Sequence, residues 1–400
     1  MTINSNQKKP LTQIHSSIWA LGFVSMLTDL SSELIFSLLP IFLVSVFGAS
    51  AFLIGLIEGV SEAIALIVRI FSGMFSDYLG KRKILAVFGY SFSALSKPLF
   101  ALATNIGLVF LARFLDRIGK GMRGSPRDAL IADIAPITRY GAAYGLRQSL
   151  DTIGAILGPL LALALMIIWN NNFQAVFWVA VIPGILSVLV LILFVHEPAK
   201  PIGTKAINPI QFKELKRLSG AYWWVVTIGT IFTLARFSEA FLLLRAQQVG
   251  SSVTWIPLIL VAMNLMYSMS AYPFGKLADT MNHNKLLIIG LFILIAADLT
   301  LAFSNSLVFI YIGSGLWGLH MGATQGLLAA MVASTAPNKL RGTAFGFFNL
   351  ICGIAMLIAS IVAGLLWDNL GSVFTFLAGA LFCIMSLFGI ILMPKITFST

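Results

Sequence analysis

Stretches of predominantly apolar residues, each about as long as a membrane-spanning helix, recur along the whole chain. Twelve such runs lie at roughly residues 17–47, 53–75, 84–103, 107–130, 140–168, 173–195, 221–246, 253–277, 285–303, 306–333, 342–366 and 373–393. A helix needs about twenty apolar residues to cross the hydrocarbon core of a bilayer. The runs are too long for the strands of a membrane barrel and lack their alternation. We therefore predict an all-α integral membrane protein with twelve transmembrane helices, numbered here as runs 1 to 12.

The distribution of Lys and Arg predicts the orientation of these helices. The chain is 58% hydrophobic and only 10% charged, with a net charge of +11. Every second connection is free of Lys and Arg: 48–52, 104–106, 170–172, 247–252, 304–306 and 368–372. The alternate connections and the N-terminal tail are basic, and basic segments stay in the cytoplasm. Both termini are therefore expected on the cytoplasmic side of a bacterial inner membrane, and the positive charge serves topology rather than nucleic-acid binding.

Neither the N-terminus nor the cysteines indicate processing or a bound cofactor. The first residues, MTINSNQKKPLTQIHSS, are polar and lack the apolar core and cleavage site of a signal peptide. Cys352 and Cys383 lie inside apolar runs, where buried spectator thiols are expected. Together with four scattered histidines, they form no metal-ligand pattern. We predict no metal, no cofactor and no enzymatic activity, since the sequence shows no nucleophile–base set.

The chain divides into two similar halves. APITRYGAAYG at 135–145 returns as APNKLRGTAFG at 336–346, and GMFSDYLGKRK at 73–83 has a weaker counterpart in GKLADTMNHNK at 275–285. Duplicated six-helix halves hold a substrate between them and expose it alternately to each side. The expected organisation is an N-terminal tail (1–16), an N-terminal six-helix bundle (17–195), a cytoplasmic loop (196–220), a C-terminal six-helix bundle (221–393) and a C-terminal tail (394–400).

The turn between runs 2 and 3 carries a glycine-rich basic motif. It reads Gly73-x-x-x-Asp77-x-x-Gly80-Lys81-Arg82-Lys83, in which glycines allow tight turning and close helix approach. The motif resembles the G-x-x-x-D-R-x-G-R-R signature of the major facilitator superfamily, although Tyr78 stands where the family has Arg. The resemblance implies two pseudo-symmetric six-helix bundles. It also implies a cytoplasmic gate containing Gly73, Asp77, Gly80, Lys81, Arg82 and the repeat counterpart Asp279.

Run 5 carries a second motif, Gly154-x-x-x-Gly158-Pro159. This spacing gives a smooth, bendable helix face that packs closely on another helix. It resembles the fifth-helix motif associated with antiporters of the superfamily. A tight packing site without meaning for the direction of transport is the alternative interpretation.

Run 4 carries a stripe of charge that is unusual in so apolar a chain. At 100° per residue the charged side chains share an arc of about 120°: Arg113, Asp116, Arg117, Lys120, Arg123 and Arg127. Each charge facing lipid would cost at least ~2.5–3.5 kcal/mol, so the stripe is expected to face a solvated cavity or partner helices. Arg113 also matches the Arg of the family's fourth-helix motif R-F-x-x-G, in which Arg117 replaces the glycine.

Position along run 4 suggests a division of roles. The deeper cations Arg113, Arg117 and Lys120 are candidates for substrate binding, whereas Arg123 and Arg127 lie near the cytoplasmic end and are candidates for the gate. The matching part of run 10 has no cation and offers His320 and Gln325 instead. The basic stripe is therefore a property of one half and is not required by the fold.

Further charges lie inside other runs at helical spacing. Part of this set is expected to form a paired network, since buried charges persist only when paired. The remainder is expected to work in transport, with Arg147 and Arg236 as further substrate-binding candidates. The proton-coupling candidates are Asp29, Glu33, Glu58, Glu62, Asp151 and Glu239, of which the first two are preferred. Lys97 and Asp298 lie on peripheral helices and are expected to snorkel or to pair locally.

Three classes of function remain for such a chain. The first is a secondary active transporter for a small organic anion, a polycarboxylate or siderophore-like molecule, because arginines bind carboxylates bidentately. No phosphate-binding loop is present to couple ATP, so protons or another ion would drive it. The second is a proton-coupled efflux antiporter for drugs or lipophilic cations. The third, a membrane enzyme or receptor, is disfavoured. A monomer in the lipid bilayer is expected.

Overall fold

The computed structural model describes residues 15–136, 139–198, 215, 217–278, 280–337 and 340–392. Throughout these ranges the protein is helical and crosses the membrane twelve times. Six spans form the first half: span 1 (Ser16–Phe36 and Leu39–Phe47), span 2 (Ala51–Leu79), span 3 (Arg82–Ala101), span 4 (Ile106–Ile134), span 5 (Tyr140–Ile168) and span 6 (Phe173–Phe194). The predicted all-helical architecture is confirmed.

The second half repeats this arrangement after the connection that ends at Ser219. Its spans are span 7 (Gly220–Ala235 and Ala240–Gln248), span 8 (a 3-10 turn at Val253–Trp255, then Leu258–Ala278), span 9 (His283–Phe303), span 10 (Leu307–Thr324 and Leu327–Thr335), span 11 (Arg341–Leu370) and span 12 (Ser372–Ile391). Eleven of the twelve spans are long and apolar enough to cross a membrane by composition alone. The exception is span 4, which is equally long but carries the charged stripe.

Spans 1, 7 and 10 are interrupted near their centres. In span 1 the break precedes Pro40, which lacks a backbone N–H and would clash with the preceding turn of a continuous helix. In span 7 residues 236–239 leave the helix, and in span 10 Gly326 adopts a left-handed φ of 74°. The breaks of spans 1 and 7 occupy corresponding positions in the two halves. Broken helices of this kind present backbone and polar side chains to a cavity at mid-membrane.

The two halves meet closely at one end of the molecule. Spans 2 and 11 pack backbone against backbone there, since a Cβ atom at Gly364 would lie 2.6 Å from the carbonyl oxygen of Ala51. Hydrogen bonds also join Thr254 to Asn171 (2.8 Å) and Gln247 to Ser45 (3.5 Å) across the halves. We call this the closed end. It carries the connections that lack Lys and Arg.

The opposite end, which carries residues 15 and 392, is more open. Among the described residues no hydrogen bond crosses between the halves there. Gly145 of span 5 and Gly275 of span 8 have no atom of another helix within 4 Å of the position a Cβ would take. The two halves therefore pack closely at one end of the molecule only.

Candidate functional site

A cavity of about 340 Å³ lies between the two halves. Spans 1, 2 and 4 form one wall, and spans 7, 8, 10 and 11 form the other. Its described lining holds four cations and four carboxylates together with an aromatic and apolar remainder. The charged residues are Arg113, Arg117, Lys120, Arg236, Glu33, Glu58, Glu62 and Glu239. Eight of the sequence-predicted site residues are thereby brought together, and the lining carries no formal net charge.

Two of the four cations already have carboxylate partners within the first half. Arg113 of span 4 donates from Nη2 to Glu58 of span 2, and both side chains are almost fully buried. Arg117, one turn further along span 4, pairs with Glu62 at 3.0 Å. Both pairs form because positions four residues apart on two neighbouring helices meet face to face. They neutralise the deeper part of the stripe and tie span 4 to span 2.

Phe36 lies at the centre of this charged wall, where the first helix of span 1 ends. The guanidinium of Arg113 lies 3.6 Å from the centroid of its ring, and that of Arg117 lies at 4.8 Å. Cations favour the face of an aromatic ring because of its quadrupole. This role cannot be predicted from the sequence, since a single Phe in an apolar run looks like any core residue.

Behind Phe36, Lys97 of span 3 is fully buried, which decides between the two expectations for this residue. Its Nζ donates to Asp116 of span 4 at 2.9 Å and to Ser32 of span 1 at 3.0 Å. Both side chains are almost fully buried, so Lys97 does not snorkel, and the expected alternative of a local ion pair is the one that the structure contains. Span 3 is not peripheral at this level. The lysine joins three helices because a buried ammonium needs both a charge partner and further hydrogen-bond acceptors.

The remaining charges of the cavity have no such partners. The side chains of Lys120, Arg236, Glu33 and Glu239 form no ion pair or hydrogen bond with any described residue, and Lys120 is exposed to the cavity. Arg236 and Glu239 lie in the broken part of span 7, and Glu33 lies just before the break of span 1. We call these four residues the unpaired set. It contains one cation and one carboxylate in each half.

Other predicted residues lie away from the cavity lining. Asp29 lies one turn before Glu33, is partly buried and has no ion-pair partner among the described residues. Arg147 pairs with Asp151 one turn away at 3.4 Å. His320 is fully buried and packs against the rings of Trp317 and Phe232. Gln325, at the break of span 10, is exposed.

The cavity also contains polar and aromatic residues that the sequence did not single out. Asn264 of span 8 donates across the halves to the backbone carbonyl of Ala155 at 3.1 Å. Phe237 and Trp317 form an aromatic wall on the side of the second half, with ring centroids 5.3 Å apart. These residues can be recognised as part of the cavity only in the folded structure, where helices that are distant in the sequence come together.

Comparison with known proteins identifies the family. The profile of the Major Facilitator Superfamily matches residues 21–349 and, in a second match, residues 224–398. The chain belongs to this superfamily. The second match begins close to the start of span 7, in agreement with the internal repeat. The predicted family and its fold of two pseudo-symmetric six-helix bundles are confirmed.

Relatives and structural neighbours of this superfamily member include transporters. An uncharacterized MFS-type transporter of Methanocaldococcus jannaschii is 34% identical over 381 residues, which cover 94% of both chains. The quinolone resistance protein NorA of Staphylococcus aureus is 25% identical over 242 residues, covering 60% of this chain and 61% of NorA. A bacterial homologue of the human lysosomal transporter Spinster, solved in an inward-facing and occupied conformation, shares the fold with a TM-score of 0.74, 16% identity and coverage of 94% and 95%. The protein is thus a major facilitator superfamily transporter with a multi-pass membrane fold.

The superfamily's signature loop is built around Arg82. Its guanidinium donates to Asp77 at 3.3 Å and pairs with Asp133 of span 4 at 3.0 Å. Gly80 ends span 2 with a left-handed φ of 63°, which glycine adopts without strain. Gly73 lies against Ser125 of span 4. Lys81 is exposed, and Asp279 lies outside the described residues.

The two gate candidates of span 4 form contacts within the first half. Arg123 donates to the hydroxyl of Ser93 at 2.5 Å, and its guanidinium lies 5.0 Å from the ring centroid of Tyr90. Arg127 pairs with Asp128 at 3.0 Å and donates to Ser25 at 3.3 Å. In this conformation both residues therefore hold spans 1, 3 and 4 together rather than bridging the two halves.

The fifth-helix motif is a close-packing site against span 1. A Cβ atom at Gly158 would lie 2.7 Å from the Cβ of Glu33 and 3.0 Å from the amide nitrogen of Leu34. Gly154 meets the backbone of Met26 in the same way, and Pro159 is buried within the helix. The motif thus determines how closely span 5 approaches the helix that carries Glu33.

Proposed function

We propose that the protein is a proton-coupled secondary active transporter of a small organic anion, working by alternating access. The observation that carries this proposal is the unpaired set, in which each half contributes one free cation and one free carboxylate to a cavity of zero formal charge. Lys120 and Arg236 lie in opposite halves, so one anion with two acidic groups contacts both. A polycarboxylate or siderophore-like molecule has this chemistry.

Charge neutrality supports the coupling to protons. A net charge enclosed in a low-dielectric cavity is costly, because neither water nor counterions can screen it. The lining is neutral before the substrate enters. Each negative charge of the substrate is therefore balanced most cheaply by one proton on Glu33 or Glu239. Asp29, one turn from Glu33, extends the proton path along span 1.

The other charged residues of the lining are assigned supporting roles. Arg113 and Arg117 contact the substrate from within their ion pairs, and Glu58 and Glu62 hold these arginines in place. Asp151 restrains Arg147 on span 5. The carboxylates of these pairs take part in proton coupling only if a pair separates during the cycle. His320 and Gln325 act indirectly, by shaping span 10 behind Trp317.

We further propose that the protein is a monomer of the bacterial inner membrane with both termini in the cytoplasm. The absence of Lys and Arg from the closed-end connections supports this orientation. The bundles are assigned to residues 17–195 and 221–393, with 196–220 as the cytoplasmic loop between them. In this orientation the closed end faces the outside, and the structure is inward-facing.

Proton-coupled efflux of drugs or lipophilic cations is the second candidate. The similarity to NorA and the Gly154–Pro159 motif favour it. The aromatic wall of Phe237 and Trp317 would bind a planar cation beside Glu239. Neutrality then requires that the cation displace a proton rather than accompany one, so the two candidates predict opposite proton movements.

Transport into proteoliposomes with an imposed pH gradient distinguishes these functions. Citrate and a hydroxamate siderophore serve as anionic probes, and ethidium serves as the cationic probe. Anion transport predicts proton movement in the same direction as the anion, together with at least a tenfold loss in Lys120→Gln and Arg236→Gln. The matched control is Arg69→Gln, since Arg69 lies outside the cavity and pairs with Asp128 at 3.2 Å. Ethidium movement against protons, retained in Lys120→Gln, would establish the second function instead.

A further inference from the structure

Asp298, near the centre of span 9, is a buried carboxyl group without a partner among the residues that the structure describes. Its side chain has no exposed surface, and neither carboxylate oxygen has a hydrogen-bond donor within reach among the described residues. Three buried acids of the first half differ from Asp298, because Glu58, Glu62 and Asp116 each pair with a cation. The expectation of snorkelling or local pairing for Asp298 is therefore wrong.

The surroundings of Asp298 provide space for the carboxyl group. At Gly379 of span 12 a Cβ atom would lie 2.7 Å from Oδ2 of Asp298 and 3.1 Å from Cε1 of Phe237. Any larger residue at 379 would displace the carboxyl group. The site is thus a small pocket between spans 9 and 12, and it adjoins the span 7 break.

Phe237 connects this pocket to the substrate cavity. It lies in the non-helical segment 236–239 of span 7, between two members of the unpaired set, Arg236 and Glu239. Phe237 lines the cavity and also adjoins the carboxyl group of Asp298. A movement of segment 236–239 would therefore change both the lining of the substrate cavity and the packing of Phe237 against Asp298.

No charge near Asp298 compensates a carboxylate in this conformation. The neighbouring titratable group on span 12 is Cys383, which is itself fully buried. His320 on span 10 packs on Trp317, and Arg236 of span 7 forms no ion pair with Asp298. An ionised carboxylate left unpaired in the interior costs several kcal/mol, whereas a neutral carboxylic acid costs much less.

We infer that Asp298 is a proton-binding site of the second half, separate from the carboxylates of the cavity. The carboxyl group carries its proton in the present conformation. When segment 236–239 moves, water reaches the pocket, the O–H bond of Asp298 breaks, and the proton passes to that water. The approaching guanidinium of Arg236 then balances the carboxylate. Proton binding at Asp298 does not require a substrate, so this inference can be tested independently of the proposed anion.

Infrared difference spectroscopy of the reconstituted protein tests the protonation state. Subtracting the spectrum of Asp298→Asn from that of the natural protein at neutral pH should leave the C=O band of a protonated carboxylic acid, and this band should shift in D₂O. The matched control Asp151→Asn removes an ion-paired acid and should remove a carboxylate band instead. Loss of a carboxylate band in Asp298→Asn would overturn the inference. Gly379→Ala displaces the carboxyl group and should shift the same C=O band. This variant provides the test if Asp298→Asn fails to fold.

A locked protein tests the release of the proton. Cysteines at Ala51 and Asp368, cross-linked at the closed end, hold the present conformation. The protonated band of Asp298 should then persist to a higher pH than in the same double-cysteine protein after reduction. Equal titration of the two forms would refute release on conformational change, even if the C=O band itself is present.

Discussion

The carboxylate of Asp368, at the end of span 11, accepts a hydrogen bond of 2.8 Å from the backbone N–H of Phe52 in the first turn of span 2. Its other oxygen accepts a bond of 3.0 Å from Ala51. A carboxylate is favourable at a helix N-terminus, where unpaired N–H groups carry partial positive charge. Here the carboxylate and the helix belong to different halves. The contact therefore closes one end of the substrate pathway.

Removing this contact should open the closed end. Hydrogen bonds to a charged group contribute roughly 1.5–3 kcal/mol, so Asp368→Ala should shift the equilibrium between the two conformations about ten- to a hundredfold. The measurement is the rate at which a cysteine at Leu243 reacts with a membrane-impermeant thiol reagent added outside. Asn369→Ala is the matched control, because that side chain donates only to Leu365 of its own helix. Equal rates in both variants would show that Asp368 is not a latch.

Loss of one member of the buried pair of Lys97 and Asp116 should destabilise the protein more than loss of both charges. Lys97→Met leaves Asp116 uncompensated and should lower the free energy of unfolding by about 3–5 kcal/mol. The double variant Lys97→Met with Asp116→Asn should regain most of this loss. Thermal unfolding in detergent provides the measurement, and Lys81→Met, at an exposed position, provides the control. Additive losses in the double variant would contradict a direct pairing.

The close contact at Gly158 should control the position of Glu33. In Gly158→Ala the new methyl group meets Glu33 and Leu34, and the resulting shift should cost about 1–3 kcal/mol of stability. Proton-driven transport should fall further than stability alone explains, since Glu33 moves with span 1. Gly145→Ala on the same helix has open space around it and should be neutral. Full transport activity in Gly158→Ala would show that the fifth-helix motif serves only helix packing and does not position Glu33 for transport.

Arg245 should stabilise the closed end of the second half without any carboxylate partner. Its guanidinium donates to the backbone carbonyls of Leu301 at 2.9 Å and Ser304 at 2.7 Å, where span 9 ends, and to the hydroxyl of Ser372 at 3.1 Å. Arg245→Met leaves these acceptors unsatisfied and should cost at least ~2 kcal/mol.

Arg245→Lys should recover part of that stability, since an ammonium group keeps three donors but loses the planar fork. Arg69→Met, at a side chain that is 51% exposed, should change stability by less than about 1 kcal/mol. Thermal unfolding compares the three variants. If Arg245→Met lowers the unfolding temperature no more than Arg69→Met does, the hydrogen bonds of Arg245 contribute little to stability.

The charged stripe of span 4 shows what helical periodicity in a sequence can and cannot predict. Spacing along the chain correctly predicts that Arg113 and Arg117 share a side of the helix that avoids lipid. It does not show that Glu58 and Glu62 stand opposite them, because the angle of a residue on its own helix carries no information about the neighbouring helix. For the same reason the sequence leaves open whether Lys97 snorkels or pairs locally, although its partner Asp116 lies only one helix away.

The twelve spans, the duplicated halves and the superfamily all follow from the amino-acid sequence alone. Each depends on local or repeated features, namely the length of apolar runs, the distribution of Lys and Arg, and the motif around Asp77. Tertiary packing, in contrast, establishes among the described residues which charges are paired, which four remain free in the cavity, and that Asp298 has no partner. This is because the free energy of a buried charge depends on groups within a few ångströms, and these groups come from helices far apart in the chain.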